Sequence, residues 1–210
     1  MLAALAAVLV LAALPAAEAH AAAIRILAFG DSLTAGFGLP EAQAFPARLQ
    51  VALRAKGHDV EIVNAGVSGD TASAGLARLD WSLADGADGV ILELGANDAL
   101  RGVDPSVTRA ALNEIIARLK ARGIEVLLAG MRSPPNMGAP YVAAFEAIYP
   151  ELAQEHGILL YPFIVEGVAT KAELNQEDGI HPNAAGVAII VERVLPTVEE
   201  LIARIRANNP

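Results

Sequence analysis

Cysteine is absent from all 210 residues, which excludes disulfides, thiolate nucleophiles, cysteine-bound zinc and any acylated-cysteine lipid anchor. Positive charge is scarce: 15 Lys and Arg face 24 Asp and Glu, a formal net charge of −9. Nucleic acid would demand a basic face, which this balance argues against, and an anionic membrane surface is no better matched. Histidine is rare too. His20, His58, His156 and His181 stand far apart in sequence, so a His-rich metal site is not expected. Charged residues make up 19 % and hydrophobic residues 54 %, the composition of a packed globular chain rather than a disordered one. No linker, low-complexity tract or internal repeat divides the chain, and its length suits one domain.

The longest apolar run is N-terminal, from Leu2 to Leu14, and Pro15 ends it. Small residues then alternate through Ala17-Glu18-Ala19-His20-Ala21, the layout of a secretory signal peptide with an A-x-A cleavage site. A membrane span needs roughly 20 apolar residues, more than this run provides. Residues 1–21 therefore read as a signal peptide and 22–210 as a single domain of an exported, periplasmic or secreted protein, with no stable membrane span after cleavage. No Lys or Arg precedes the run, although the n-region of such peptides usually carries one, and an uncleaved N-terminal anchor is the alternative.

Beyond that segment, short β-branched runs alternate with amphipathic ones. Ile24–Phe29, Val60–Asn64, Val90–Leu94, Glu125–Ala129 and Ile158–Leu160 read as strands, nearly continuous in apolar character as strands buried on both faces should be. Helices are expected between them. One has Asp104 as N-cap, Pro105 in its first turn, a stripe of Leu112, Ile115, Ile116 and Leu119, and Gly123 beyond its end. Others run from about Pro46 to Gly57, from Tyr141 to Gly157, and from Ala184 onward, the last kinked or broken at Pro196. Such alternation implies βαβ crossovers and a parallel sheet covered on both faces, with ligands bound beyond the carboxyl ends of the strands.

Polar, glycine-bearing blocks stand in those places. Gly30-Asp31-Ser32-Leu33-Thr34 follows the first strand, Asn64-Ala65-Gly66-Val67-Ser68-Gly69-Asp70-Thr71 the second, and Gly95-Ala96-Asn97-Asp98 the third. Asp178-Gly179-Ile180-His181-Pro182 lies near the C-terminus. These four blocks, in this order, resemble those of the SGNH (GDSL) hydrolase family, nearest to its bacterial periplasmic thioesterase I, arylesterase and lysophospholipase type. The likeness runs from Leu27 to about Val194 and takes in Gly75-Leu76-Ala77-Arg78-Leu79 and Glu93-Leu94-Gly95. It implies a three-layer α/β/α fold with a five-stranded parallel sheet in flavodoxin-like order. It also implies Ser32 as nucleophile, Asp178 and His181 as the rest of a triad, and an oxyanion hole made by the N–H groups of Ser32 and Gly69 and the side-chain amide of Asn97. No metal or organic cofactor is implied, and the substrates would be acyl thioesters, aryl esters and lysophospholipids.

The residue types suit that chemistry on their own. A serine hydroxyl needs a neutral imidazole to take its proton, and the imidazole needs a carboxylate on its other nitrogen. Asp178 and His181, three residues apart, can meet within one turn of chain. The remaining histidines are poor candidates: His20 leaves with the signal, His58 precedes the second strand at the wrong end of the sheet, and His156 closes a helix where a cation would suit the dipole. Asp31 is expected to support the Ser32 turn, while Asp70, as a cap for the next helix, and Asp98 are taken as structural. Ser68 fails G-x-S-x-G because position 70 is Asp, and Gly36-Phe37-Gly38 does not complete a dinucleotide loop. The segment Met131 to Gly138 corresponds to the family's acyl-binding region, so Pro134 and Met137, with Leu33, Phe37 and Leu39, are candidate substrate contacts. A monomer acting on a small acyl substrate is expected. A carbohydrate or acetyl esterase of the same superfamily and a non-catalytic secreted α/β binding module are the rival readings.

Overall fold

Strands that are apolar on both faces need helices on both sides, and the chain supplies them in alternation. The computed structural model of the protein describes residues 23–208, and the signal peptide expected over 1–21 lies outside them. Strands β1 (Ile24–Gly30), β2 (Val60–Gly66), β3 (Gly89–Glu93), β4 (Glu125–Ala129) and β5 (Leu159–Tyr161) form one sheet in the order β2-β1-β3-β4-β5. Every neighbouring pair is parallel, the flavodoxin-like arrangement that the sequence led us to expect. The helices are α1 (Ser32–Ala35), α2 (Phe45–Ala55), α3 (Ala72–Ser82), α4 (Ala96–Leu100), α5 (Pro105–Ala121), α6 (Ala139–His156) and α7 (Ala184–Asn208). Helices α2 and α7 pack together in one layer, and α3, α5 and α6 in the other.

Local signals explain most of these elements. Asp104 accepts the Ser106 N–H at 2.8 Å, Pro105 follows as the first helical residue, and α5 buries Leu112, Ile115, Ile116 and Leu119 on one stripe. Helix α7 is not broken at Pro196 but continues through it. The proline removes one backbone hydrogen bond, but the buried stripe from Val187 through Val194, Val198 and Leu201 to Ile205 continues across it. Tertiary packing of that stripe outweighs the local loss. Pro150 is accommodated inside α6 in the same way, flanked by buried Tyr149 and Leu152. After β3 the chain turns sharply at Gly95, whose φ is +120°, and a Cβ there would stand 2.1 Å from the Tyr149 hydroxyl. That turn delivers Asn97 to the carboxyl edge of the sheet. Among the described residues no helix is long and apolar enough to cross a membrane.

Candidate active site

Ser32 opens α1 directly after β1, and the cap of that helix is Asp31, whose Oδ1 accepts the Leu33 N–H at 3.0 Å. The Ser32 hydroxyl is therefore not consumed in capping. Its Oγ lies 2.9 Å from His181 Nε2, and the opposite ring nitrogen, Nδ1, lies 2.6 Å from Asp178 Oδ2. The other carboxylate oxygen of Asp178 accepts the N–H groups of Ile180 and His181, each at 3.0 Å. The His181 main-chain N–H, then its ring, then the Ile180 N–H hold the Asp178 carboxyl down at about 2. An ionised carboxylate only accepts, so Nδ1 of His181 carries the hydrogen and Nε2 turns its lone pair toward Ser32. The ring of Phe37 lies against this imidazole, with centroids 4.5 Å apart.

Three loops are tied together around this line. Val67 N–H donates to Gly30 O at 3.0 Å, and Arg101 Nη2 donates to Gly69 O at 3.0 Å. Arg78 forms a bracket: Nε donates to Asp70 Oδ2 at 2.6 Å, Nη2 donates to Gly30 O at 2.9 Å, and the guanidinium sits 4.2 Å from the Phe29 ring centroid. The loop holding Gly69 is thus fastened to the turn holding Ser32. Among the described residues, the N–H groups of Ser32 and Gly69 have no protein acceptor. The Asn97 amide does have acceptors. Its Nδ2 is 3.1 Å from Asp31 Oδ2 and 3.0 Å from Asp70 O, so both its hydrogens are engaged at rest. Asp31 is fully buried, and its carboxyl is raised to about 6, chiefly by burial, against the opposing donors Leu33 and Asn97.

Beside these groups opens a cavity of about 320 Å³. Ser32, Asn97 and His181 line it together with apolar Leu33, Leu100, Met131 and Pro134. Phe37 instead borders a smaller adjoining pocket with Leu39, Ser32 and His181. Met137 lies outside the cavity lining and faces Gly102, while the buried Met131 lines the cavity. Gly69 is not part of that lining either, although it adjoins Asp70, whose carbonyl receives Asn97. The structure therefore brings Ser32, His181, Asn97, Leu33 and Pro134 to one cleft, with Asp178 behind His181.

Other assignments change in detail. Thr71, not Asp70, caps α3 through the Ala74 N–H, which leaves Asp70 for Arg78. Asp98 is wholly internal, accepting the Ala72 N–H and the Thr108 hydroxyl. His58 pairs with Glu199, away from the cleft. His156 does sit at a helix end, but burial and then Lys120 push it below the ordinary histidine range, and it bonds Asn113 at 2.8 Å. Among the described residues no group of three or more His, Asp or Glu is placed to hold a metal ion. Sequence reasoning missed Arg78, Glu93 and Gln176. Gln176 Nε2 donates to Phe37 O at 2.7 Å and to Pro182 O at 3.0 Å, joining the serine and histidine loops. For Glu93 a signal existed, since an acid closing a wholly apolar strand is out of place without a partner.

The chain is matched over residues 28–189 by the family described as GDSL-like lipase/acylhydrolase. It is 41% identical over 184 residues to the esterase TesA of Pseudomonas aeruginosa, covering 87% of this chain and 92% of that one. It is 41% identical over 183 residues to the thioesterase 1/protease 1/lysophospholipase L1 of Escherichia coli (strain K12), covering 87% and 86%. Among solved structures, the esterase EstA from Pseudoalteromonas sp., inhibited by monoethylphosphonate, superposes with a TM-score of 0.81 at 29% identity, covering 85% of this chain and 98% of that one.

Proposed function

This chain belongs to the GDSL-like lipase/acylhydrolase family and is an ester hydrolase; we propose that it cleaves carboxylic esters and thioesters through an acyl-enzyme formed on Ser32. The observation that carries this reading is the unbroken line Asp178–His181–Ser32, with contacts of 2.6 and 2.9 Å. Ser32 Oγ attacks the acyl carbon while His181 Nε2 takes its proton. Asp178 holds the ring in the required tautomer and stabilises the imidazolium. The free N–H groups of Ser32 and Gly69 receive the developing oxyanion, and Asn97 supplies a third donor by turning one hydrogen from its resting acceptor. The protonated histidine then gives its proton to the leaving alcohol or thiol. Water, activated by the same imidazole, attacks the acyl-enzyme and releases the acid.

The apolar cavity beside Ser32 fits an acyl chain, and the names of the relatives suggest carboxylic esters, thioesters and lysophospholipids as the substrate range. All of these residues come from one chain, so a monomer suffices, and the N-terminal segment would direct export. A series of p-nitrophenyl esters and acyl-CoA thioesters of rising chain length, with lysophospholipids alongside, tests the reading. Hydrolysis extending to chains well beyond acetyl is expected. Activity confined to acetyl groups would favour the acetyl or carbohydrate esterase, and no hydrolysis of any member would favour a binding module.

A further inference from the structure

Glu93 ends β3 after Gly, Val, Ile and Leu, and only 1% of it is exposed. The parallel register sets it beside Gly30, the residue before Asp31. Its Oε2 accepts the Thr34 hydroxyl at 2.8 Å and the Asp31 N–H at 3.4 Å. Its Oε1 is buried and has no partner among the described residues. The approach is close: a Cβ on Gly30 would stand 2.2 Å from Thr34 Oγ1 and 2.5 Å from Glu93 Oε2.

The surrounding charges give Glu93 nothing to pair with. From β1 and α1 comes the Asp31 carboxylate, and beyond it lie Asp70 and Asp98. Arg78 spends its nitrogens on Asp70, Gly30 O and Ser82. The Tyr149 phenol donates to Leu94 O, and His181 faces Ser32 and Asp178. Asp31 is served differently, because Leu33 N–H and Asn97 Nδ2 donate to its two oxygens. Of two adjacent buried carboxyls, one therefore has donors on both oxygens and the other keeps an orphan oxygen. Such a pair does not ionise twice, and its single charge goes where the donors are.

We infer that Glu93 is held as a neutral carboxylic acid, so that when the pair ionises its single negative charge is lodged on Asp31, where it fixes the Asn97 carboxamide at the cleft. Glu93 is then a positioning residue, acting through Asp31 on Asn97. Burial, followed by the Asp31 charge, pushes the pKa of Glu93 in the same direction, well above the usual carboxylate range.

Two measurements test this, and only the second rests on the hydrolase reading proposed above. In the protein labelled with ¹³C at glutamate carboxyls, NMR should show one resonance that stays in the protonated-acid range throughout about pH 5 to 8, and that E93Q removes. Absence of that resonance, or its titration with the surface glutamates, overturns the inference. In kinetics, E93Q keeps shape and neutrality and should restore kcat to within about threefold of wild type, whereas E93D and E93L should lose about tenfold or more with little change in KM. Loss in E93Q as deep as in E93D also overturns it. Should E93L fail to fold, the resonance and the E93Q–E93D comparison still decide.

Discussion

Replacing Asp178 by Asn is the sharpest probe of the proposed proton path, because the surrounding backbone dictates how the new amide must sit. Asp178 Oδ1 accepts two main-chain N–H groups, from Ile180 and His181, at 3.0 Å each. The carbonyl oxygen of the new carboxamide takes that place, so its NH₂ faces His181 Nδ1, where the present contact is 2.6 Å. A donor there forces the ring to accept at Nδ1 and to carry its hydrogen on Nε2, facing Ser32. The serine proton then has no acceptor. In proteins of this mechanism such a tautomer lock costs about 10³–10⁴ in kcat, or about 4–5.5 kcal/mol of barrier. Asp178→Ala leaves the ring free, and because the Asp178 side chain is 37% exposed, water can partly serve Nδ1. That variant should lose less, about 10²–10³. The assay is steady-state hydrolysis of a p-nitrophenyl ester, with KM expected near wild type and circular dichroism unchanged. A D178N enzyme retaining more than about a tenth of wild-type kcat, or milder than D178A, would refute the tautomer argument.

Three further outcomes follow from the same geometry. Asn97→Ala should lower kcat by about 10²–10³ while KM moves little, since the third donor acts on the oxyanion alone; a change mainly in KM would contradict it. The Asp31 carboxyl is raised from 3.8 to about 6 in the folded protein, so between those values folding takes up a proton and stability falls as pH rises. The shift is worth roughly 3 kcal/mol, and Asp31→Asn should gain on wild type by an amount of that order between pH 4 and 7 in urea unfolding; parallel curves would refute the assignment. Arg78→Ala should cost about 2–4 kcal/mol of stability and reduce kcat as well, because the residue joins Gly30 and Asp70. Arg78→Lys should not restore either, since one ammonium cannot replace the fork, and full rescue by Lys would count against the bracket.

The parts legible in the sequence were those with a short-range signature. Asp104 and Pro105 announce α5, the apolar runs announce the strands, and elimination among four histidines leaves His181 beside an acid three residues away. Packing decided the rest. Pro196 reads as a kink or a break, and a buried stripe on both sides keeps α7 unbroken. Asp70 reads as a cap, but Thr71 takes that position and Asp70 turns to Arg78. The resting partners of Asn97 and the burial of Glu93 depend on the register that sets Gly30 beside Glu93, and no spacing along the chain encodes it. Met137 carries the right chemistry for an acyl contact, but the loop turns it to Gly102 and gives the cavity Met131.

In the proposed mechanism Ser32 is the nucleophile, activated by His181. Treatment of the protein with a fluorophosphonate, followed by intact and peptide mass spectrometry, tests it directly. One adduct per chain is expected, on the Ser32 hydroxyl, absent in Ser32→Ala and formed far more slowly in His181→Ala, with both variants folded. An unlabelled wild type, or an adduct on any other residue, would contradict it.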